Sequence, residues 1–188
     1  MSLYSVEGIL ILDSKGERIY GKYYSPPHSH TGSEYAVAKS LATSNKVQFE
    51  FEKQLFKKTH KKNAEIMLYE NHLVLYKEYT DVTLYLIGDG NENELVLQEA
   101  FDAYRNSLEL VLNNGVDKKN IQENYDLMLL AIDELIDNGI ILETDPASIA
   151  SRVTKAPEEN VTLDLDKGLL GAWGFAKSKF QERLQQGL

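Results

Sequence analysis

Two stretches of this chain are apolar on both alternating faces, and they constrain the fold more than any other feature. The first strand-like run, YSVEGILILD, contains GILIL, and a later run, VTLYLIG, repeats the property. A half-buried strand alternates apolar and polar side chains, whereas a strand that is apolar on both faces must be covered on both. These runs predict two paired strands at the centre of a sheet that helices cover.

Turn signals supply the remaining strands. SKGERIYGKYY returns from the first strand through residues 13–16, where Gly16 provides the positive φ of a tight hairpin turn. The segments AEIMLYE and HLVLYKEY are two further strands that meet at a tight turn over residues 70–72. The sequence therefore predicts five strands that form an antiparallel sheet.

Two long helices follow the last strand. Asn91 and Glu94 have the spacing of a capping box, and Gly115 is expected to end the first helix. Asp117 is expected to cap the second. Together with a helix between the second and third strands, the order is β-β-α-β-β-β-α-α, and the fold class is α+β in one domain.

The segment VQFEFEKQLFKKTHKK, residues 47–62, has two apolar stripes about 130° apart at 3.6 residues per turn. Val47, Phe51 and Leu55 form one stripe, and Phe49 and Phe56 form the other. Three interpretations stay open: a helix buried in its own core, a helix shared between the sheet and a partner, or a strand over VQFEF. The second makes Phe49 and Phe56 candidate partner-binding residues.

The stretch IDELIDNGIILETDP predicts a structural corner. Gly139 is placed to end a helix in the left-handed conformation, with Ile140 folding back onto the helix as in a Schellman motif. Asp145 is a good N-cap and Pro146 a good first residue for a short helix that follows. The acids of this stretch fall opposite the apolar stripe, which predicts a solvated face instead of an active site. These acids are Asp133, Glu134 and Asp137.

Composition excludes several classes of function. The chain has 188 residues, a net charge of −9 and no cysteine, so nucleic acid is an unsuitable partner and thiolate chemistry is absent. The N-terminus lacks the basic region of a signal peptide, and no apolar run is long enough to span a membrane. We therefore expect a soluble, cytoplasmic protein.

Catalytic and ligand motifs are absent from the sequence. Counted from Asp89, GDGNENE fails as a calcium loop because the sixth position is Glu94 instead of glycine, and it lacks the spacing of a dinucleotide fingerprint. His28 and His30 are more consistent with a surface pair than with a metal site. We predict no catalytic residues, no cofactor, no metal and no enzymatic activity.

The composition changes near the C-terminus. Residues 1–155 are predicted to form the domain, residues 156–168 an acidic linker, and residues 169–188 an amphipathic segment. Trp173 and Phe180 lie on one side of a possible helix in that segment, which makes them further candidate partner-binding residues. Docking on protein, docking on an anionic membrane and a disordered terminus all stay open.

Several blocks, taken in order, carry a family resemblance. YSVEGILILDSKGERIYGKYY, FEKQLFKKTH, EIMLYENHLVLYKEYTDVTLYLIG, ENEL and DELIDNGIILETDP together resemble the small chains of vesicle coats, a family that includes the coatomer small chain and the sigma and mu chains of clathrin adaptors. The blocks cover most of residues 3–155. The Pro/His/Ser-rich stretch from about Ser25 to Asn45 and the tail after Lys155 depart from the family pattern.

The resemblance implies a longin-like fold: a five-stranded antiparallel sheet with one helix on one face and two on the other. It also implies a non-enzymatic subunit of the COPI coat, held by the large gamma-COP subunit within the coatomer heptamer. Such a coat is recruited to Golgi membranes by an ADP-ribosylation-factor GTPase, so membrane association would be peripheral. The alternatives are a longin domain of another trafficking complex, such as a clathrin-adaptor sigma-type chain or a GTPase-exchange subunit, and a ligand-sensing domain.

Overall fold

The computed structural model describes residues 3–25, 41–42, 44–62, 65–113 and 115–154. The predicted linker, the predicted amphipathic segment with Trp173 and Phe180, and most of the stretch from Ser25 to Asn45 lie outside these residues. In chain order the elements are β1 (Val6–Asp13), β2 (Arg18–Tyr23), α1 (Asn45–Thr59), β3 (Ile66–Tyr69), β4 (His72–Glu78), β5 (Val82–Asp89), α2 (Glu94–Leu112), α3 (Lys118–Glu123), α4 (Tyr125–Leu135), β6 (Ile136–Asp137), β7 (Ile140–Ile141) and α5 (Pro146–Thr154).

The main sheet has five antiparallel strands in the order β2-β1-β5-β4-β3. The two strands that are apolar on both faces, β1 and β5, pair at its centre, as their sequences predicted. One face buries Ile9, Ile11 and Leu84 beneath α2, α4 and α5. The opposite face packs against α1, which confirms an α+β fold with helices on both sides of the sheet. The sheet residues buried on this face include Leu10, Leu12, Tyr85 and Ile87.

The β1–β2 turn is held by one buried carboxylate. Gly16 has a φ of +80°, as its position in the turn predicted. The side chain of Asp13 accepts hydrogen bonds from the backbone amides of Lys15 and Glu17, at 2.9 and 2.8 Å. Lys118 Nζ donates to the same carboxylate at 2.8 Å, which ties the turn to the start of α3.

Two helix boundaries differ from the predictions. The N-cap of α2 is Asn93, whose side chain accepts from the amide of Leu95 at 2.9 Å, while Asn91 is held in the preceding turn by Asp89. The predicted capping box therefore lies two residues too early. The predicted second helix breaks at Asn124 into α3 and α4, and its N-cap, Asp117, is confirmed.

The predicted Schellman stop is wrong. Helix α4 ends at Leu135, and the next residues form the short hairpin β6–β7 around Asn138 and Gly139, with φ of 48° and 86°. Two consecutive positive φ angles define the type I′ turn, which Asn-Gly favours. The amide of Val6 donates to the Gly139 carbonyl at 3.1 Å, and a β-carbon on Gly139 would lie 2.6 Å from the Val6 oxygen. Glycine is required here because the first sheet strand passes so close.

Beyond the hairpin, α5 begins as its sequence predicted. Asp145 lies at the N-cap, where its carboxylate accepts from the Ser148 amide at 3.0 Å, and Pro146 is the first helical residue. The acids of this corner lie towards solvent: Asp133 and Asp137 are exposed, and Glu134 is half-buried. Asp133 pairs with Lys22 at 2.7 Å.

Candidate partner-binding site

Helix α1 packs on its face of the sheet together with the buried Leu41, and it presents two different flanks. Phe51 and Leu55 point down into the core against Tyr85 and its neighbours. This settles the open choice for VQFEF, which is helical over its whole length. The two flanks of α1 carry the candidate interaction surfaces of this face.

A buried ion pair fixes α1 to the edge strand β2. The carboxylate of Glu52, 2% exposed, accepts from Arg18 Nε at 2.9 Å and from Arg18 Nη2 at 2.5 Å. The Tyr23 hydroxyl donates to the same carboxylate at 2.8 Å, and Arg18 also donates to Gln48 at 3.3 Å. Burial, followed by the nearby Glu52 charge, raises the pKa of Tyr23 above its ordinary value, so the hydroxyl remains a donor. Bidentate pairing of this kind fixes orientation as well as position.

Phe49 is the exposed aromatic residue of this arrangement. The residue is 55% exposed, and the guanidinium carbon of Arg18 lies 4.3 Å from the centroid of its ring. Since Arg18 is itself held by Glu52, Phe49 stands beside an immobilised cation. A large aromatic side chain next to an ordered arginine is typical of the residues that dominate protein interfaces.

Phe56, the second candidate on the same flank, lies in a different environment. Its ring packs over Gly16, where an added β-carbon would approach a ring carbon to 2.7 Å, and it stacks on His60 with centroids 4.8 Å apart. The side chain is therefore partly buried within the chain itself. The two phenylalanines do not form one exposed stripe, and Phe49 is the sharper candidate for partner contact.

The other flank of α1 borders a cleft of about 500 Å³ against the β3–β4 hairpin. Phe51, Tyr69 and His72 form part of its lining, and Val47, which sequence periodicity placed in the buried stripe, stands exposed at its side. His72 Nδ1 lies 2.5 Å from a carboxylate oxygen of Glu7, and both side chains are largely buried.

The remaining candidates do not join this surface. Gly139, Ile140, Asp145 and Pro146 belong to the β6–β7 corner and the start of α5 and not to α1. Trp173 and Phe180 lie outside the described residues. In the part of the chain that the structure describes, no group of three His, Cys, Asp or Glu residues is placed to hold a metal ion. The same residues contain no helix both long and apolar enough to cross a membrane.

Comparison with known proteins assigns the chain to a family. The sequence profile of the clathrin adaptor complex small chain matches residues 5–160. The chain is 64% identical to Coatomer subunit zeta of Saccharomyces cerevisiae over 191 residues, covering 100% of this chain and 98% of the yeast protein. This chain belongs to the coatomer zeta family of adaptor small chains. Probable coatomer subunit zeta-A of Dictyostelium discoideum is 40% identical over 89% of each chain. Human Coatomer subunit zeta-1 is 39% identical over 84% of this chain and 81% of its own length.

Sequence reasoning missed the residues that organise the surface. Glu52 and Gln48 looked like ordinary solvated positions of a helix, yet both are buried against β2. A signal was present: both lie on the same side of the helical wheel as Leu55, between the two apolar stripes. The arginine that pairs with Glu52 is 34 residues away in sequence, so no local pattern could identify it.

Proposed function

We propose that this chain is a non-enzymatic structural subunit of the COPI vesicle coat, and that it pairs directly with the large gamma-COP subunit. Its membership of the coatomer zeta family supports a role in a multi-subunit coat. The exposed Phe49 on a helix fixed by the Arg18–Glu52 pair carries the proposal for direct pairing. The coatomer heptamer, recruited by an ADP-ribosylation-factor GTPase, would bring the chain to Golgi membranes for Golgi-to-ER retrograde and intra-Golgi transport.

The composition of the α1 surface favours a permanent protein partner over a transient one. Phe49 and Val47 are both more than a third exposed, so the described residues leave much of the apolar area of each side chain uncovered. Interfaces of obligate complexes resemble a core that is divided between two chains. We infer that the large subunit covers Phe49 in the assembled coat.

Substitution of Phe49 by serine tests this proposal. Serine is preferred to aspartate because a new carboxylate would compete with Glu52 for Arg18. We expect the affinity for the large subunit to fall at least about tenfold, since truncation of an aromatic hot-spot residue typically costs about 2 kcal/mol or more and about 1.4 kcal/mol corresponds to a factor of ten. The melting temperature of the isolated chain should change little, because the Phe49 ring is mostly exposed.

Leu130→Ser provides the matched control. Leu130 is 52% exposed on α4, on the opposite side of the sheet, and its replacement should leave binding unchanged. Affinity would be measured with the full chain and the purified large subunit by calorimetry. Equal affinities for Phe49→Ser and the unsubstituted chain would contradict the proposed surface, and failure of the tagged chain to recover a large coat subunit from its source would contradict the function.

A further inference from the structure

Strand β3 leaves one edge of the main sheet open among the residues that the structure describes. The amide of Tyr76 donates to the carbonyl of Glu65 at 2.8 Å, which defines one hydrogen-bonded pair. Hydrogen-bonded and non-hydrogen-bonded pairs alternate along an antiparallel ladder. Because Ile66 lies opposite Leu75 and Leu68 opposite Leu73, the main-chain groups of Ile66 and Leu68 point away from β4.

The side chains of these same two residues are exposed. Ile66 is 41% and Leu68 64% exposed, whereas the alternate residues Met67 and Tyr69 pack towards α1. Ile66 and Leu68 share the face on which α2 lies, next to the buried Leu75 and Leu73 in register. The edge therefore combines unpaired main-chain groups with an apolar extension of the core.

The opposite edge of the sheet is protected. The pairing of β2 with β1 shifts register between Ile11 and Leu12, so the ladder is interrupted by a bulge or a similar irregularity. Two charged side chains, Arg18 and Lys22, stand on β2 and are engaged by Glu52 and Asp133. Bulges and charged residues are the devices by which proteins prevent strand addition at an edge. Ile66, Met67 and Leu68 provide no such protection on β3.

We propose that the free edge of β3 receives an extended segment of the large coat subunit as a sixth strand. The segment is held by main-chain hydrogen bonds at Ile66 and Leu68 and by apolar contacts with their side chains. Strand addition of this kind obtains affinity from the main chain and specificity from alternate side chains. The inference rests on the proposed function, because it takes its partner from there.

The size of the edge decides between the large subunit and a second copy of this chain. Four residues span about 13 Å at 3.3 Å per residue and offer two outward-facing positions. Pairing of two such edges buries far less than the roughly 1,200 Å² that a specific interface needs. The segment must therefore be tethered by a second contact with the same partner. Binding of that partner at the α1 surface supplies this contact and raises the effective concentration of the segment at β3.

Charge indicates the chemistry of the incoming segment. Glu65 and Glu70, both exposed, flank β3 at its two ends, and the chain has a net charge of −9. Lys77 already pairs with Glu65 at 2.7 Å. We therefore expect the segment to alternate apolar residues opposite Ile66 and Leu68 and to carry lysine or arginine next to Glu70.

Amide hydrogen exchange of the full chain, free and bound to the large subunit, tests the proposal at single residues. The amides of Ile66 and Leu68 should exchange fast in the free chain and at least about tenfold more slowly in the complex, because a new hydrogen bond must open first. The amide of Met67 faces β4 and serves as an internal reference. Unchanged exchange at Ile66 and Leu68 in the complex would overturn the proposal.

Two variants separate strand addition from simple burial. Leu68→Pro removes an amide that points away from β4, so the internal ladder keeps its bonds, and Leu68→Lys introduces a charge on the edge. Both should weaken the complex about tenfold, while Leu130→Lys should not.

If Leu68→Pro binds normally in a complex that still depends on Phe49, strand addition is wrong and the proposed function stands. If no complex forms with the unsubstituted chain, the proposed function fails. If the amides of Ile66 and Leu68 are protected from exchange in the free chain, and this protection increases with protein concentration, the edge binds a second copy of the chain. That result would overturn the assignment to the large subunit.

Discussion

Replacement of Arg18 by methionine tests how α1 is fixed to the sheet. The change removes both guanidinium hydrogen bonds from the buried carboxylate of Glu52. Leaving a buried charge without its partner costs roughly 3–5 kcal/mol. The Tyr23 hydroxyl would still donate to Glu52, and Arg18 is itself partly exposed, so we expect the lower end, about 3 kcal/mol. At 2–4 °C per kcal/mol for a chain of this size, the melting temperature should fall by about 6–12 °C.

The assay is urea unfolding followed by circular dichroism, with the slope m checked for two-state behaviour. In the double variant Arg18→Met/Glu52→Met the unpaired charge is gone, so stability should recover most of the loss. Arg18→Lys should lie between the single variant and the unsubstituted chain, because lysine cannot form the bidentate contact. A loss below about 1 kcal/mol for Arg18→Met, or no recovery in the double variant, would refute the view that the pair anchors α1.

Three further predictions concern stability. Gly139→Val should destabilise the chain by more than about 2 kcal/mol in urea unfolding, because it combines a strained positive φ with a clash against β1. Asp13→Asn should cost about 1–3 kcal/mol at neutral pH. Burial alone would raise the pKa of Asp13, but hydrogen bonds from Lys118 and two backbone amides hold it below its ordinary value. A carboxylate whose pKa is lowered by folding stabilises the folded state at pH values above its ordinary pKa, and this stabilisation is lost as the pH falls. The difference in stability between Asp13→Asn and the unsubstituted chain should therefore shrink below about pH 4. Asp133→Asn should change stability by less than about 1 kcal/mol, since its ion pair is exposed.

Each of these predictions has a clear contrary result. Normal stability of Gly139→Val would mean that the hairpin and β1 separate easily. A pH-independent difference for Asp13→Asn between about pH 7 and pH 3 would show that the carboxylate charge is not what Lys118 recognises. A large effect of Asp133→Asn on stability or on partner binding would place that residue in a structural or functional contact that its exposure does not indicate.

Local patterns determined the features that depend on neighbours in sequence. The doubly apolar runs predicted that β1 and β5 lie at the centre, because only burial on both faces tolerates such composition. The caps Asp117 and Asp145 were predictable because a cap depends on the next three residues. The turn at Gly16 followed from a positive φ that glycine adopts without strain.

Tertiary structure decided what each exposed or ambiguous residue does. The sequence cannot distinguish Phe49 from Phe56, and only the approach of the β1–β2 turn covers Phe56 and leaves Phe49 exposed. The positive φ of Gly139 was predictable, but the passage of β1 over it makes a hairpin instead of a helix stop. The sequence places Leu68 in a strand, but it does not show whether a helix covers that strand. Leu68 is exposed because α2 does not extend over β3. In each case the deciding contact comes from residues far away in sequence, whose position depends on packing of the whole sheet.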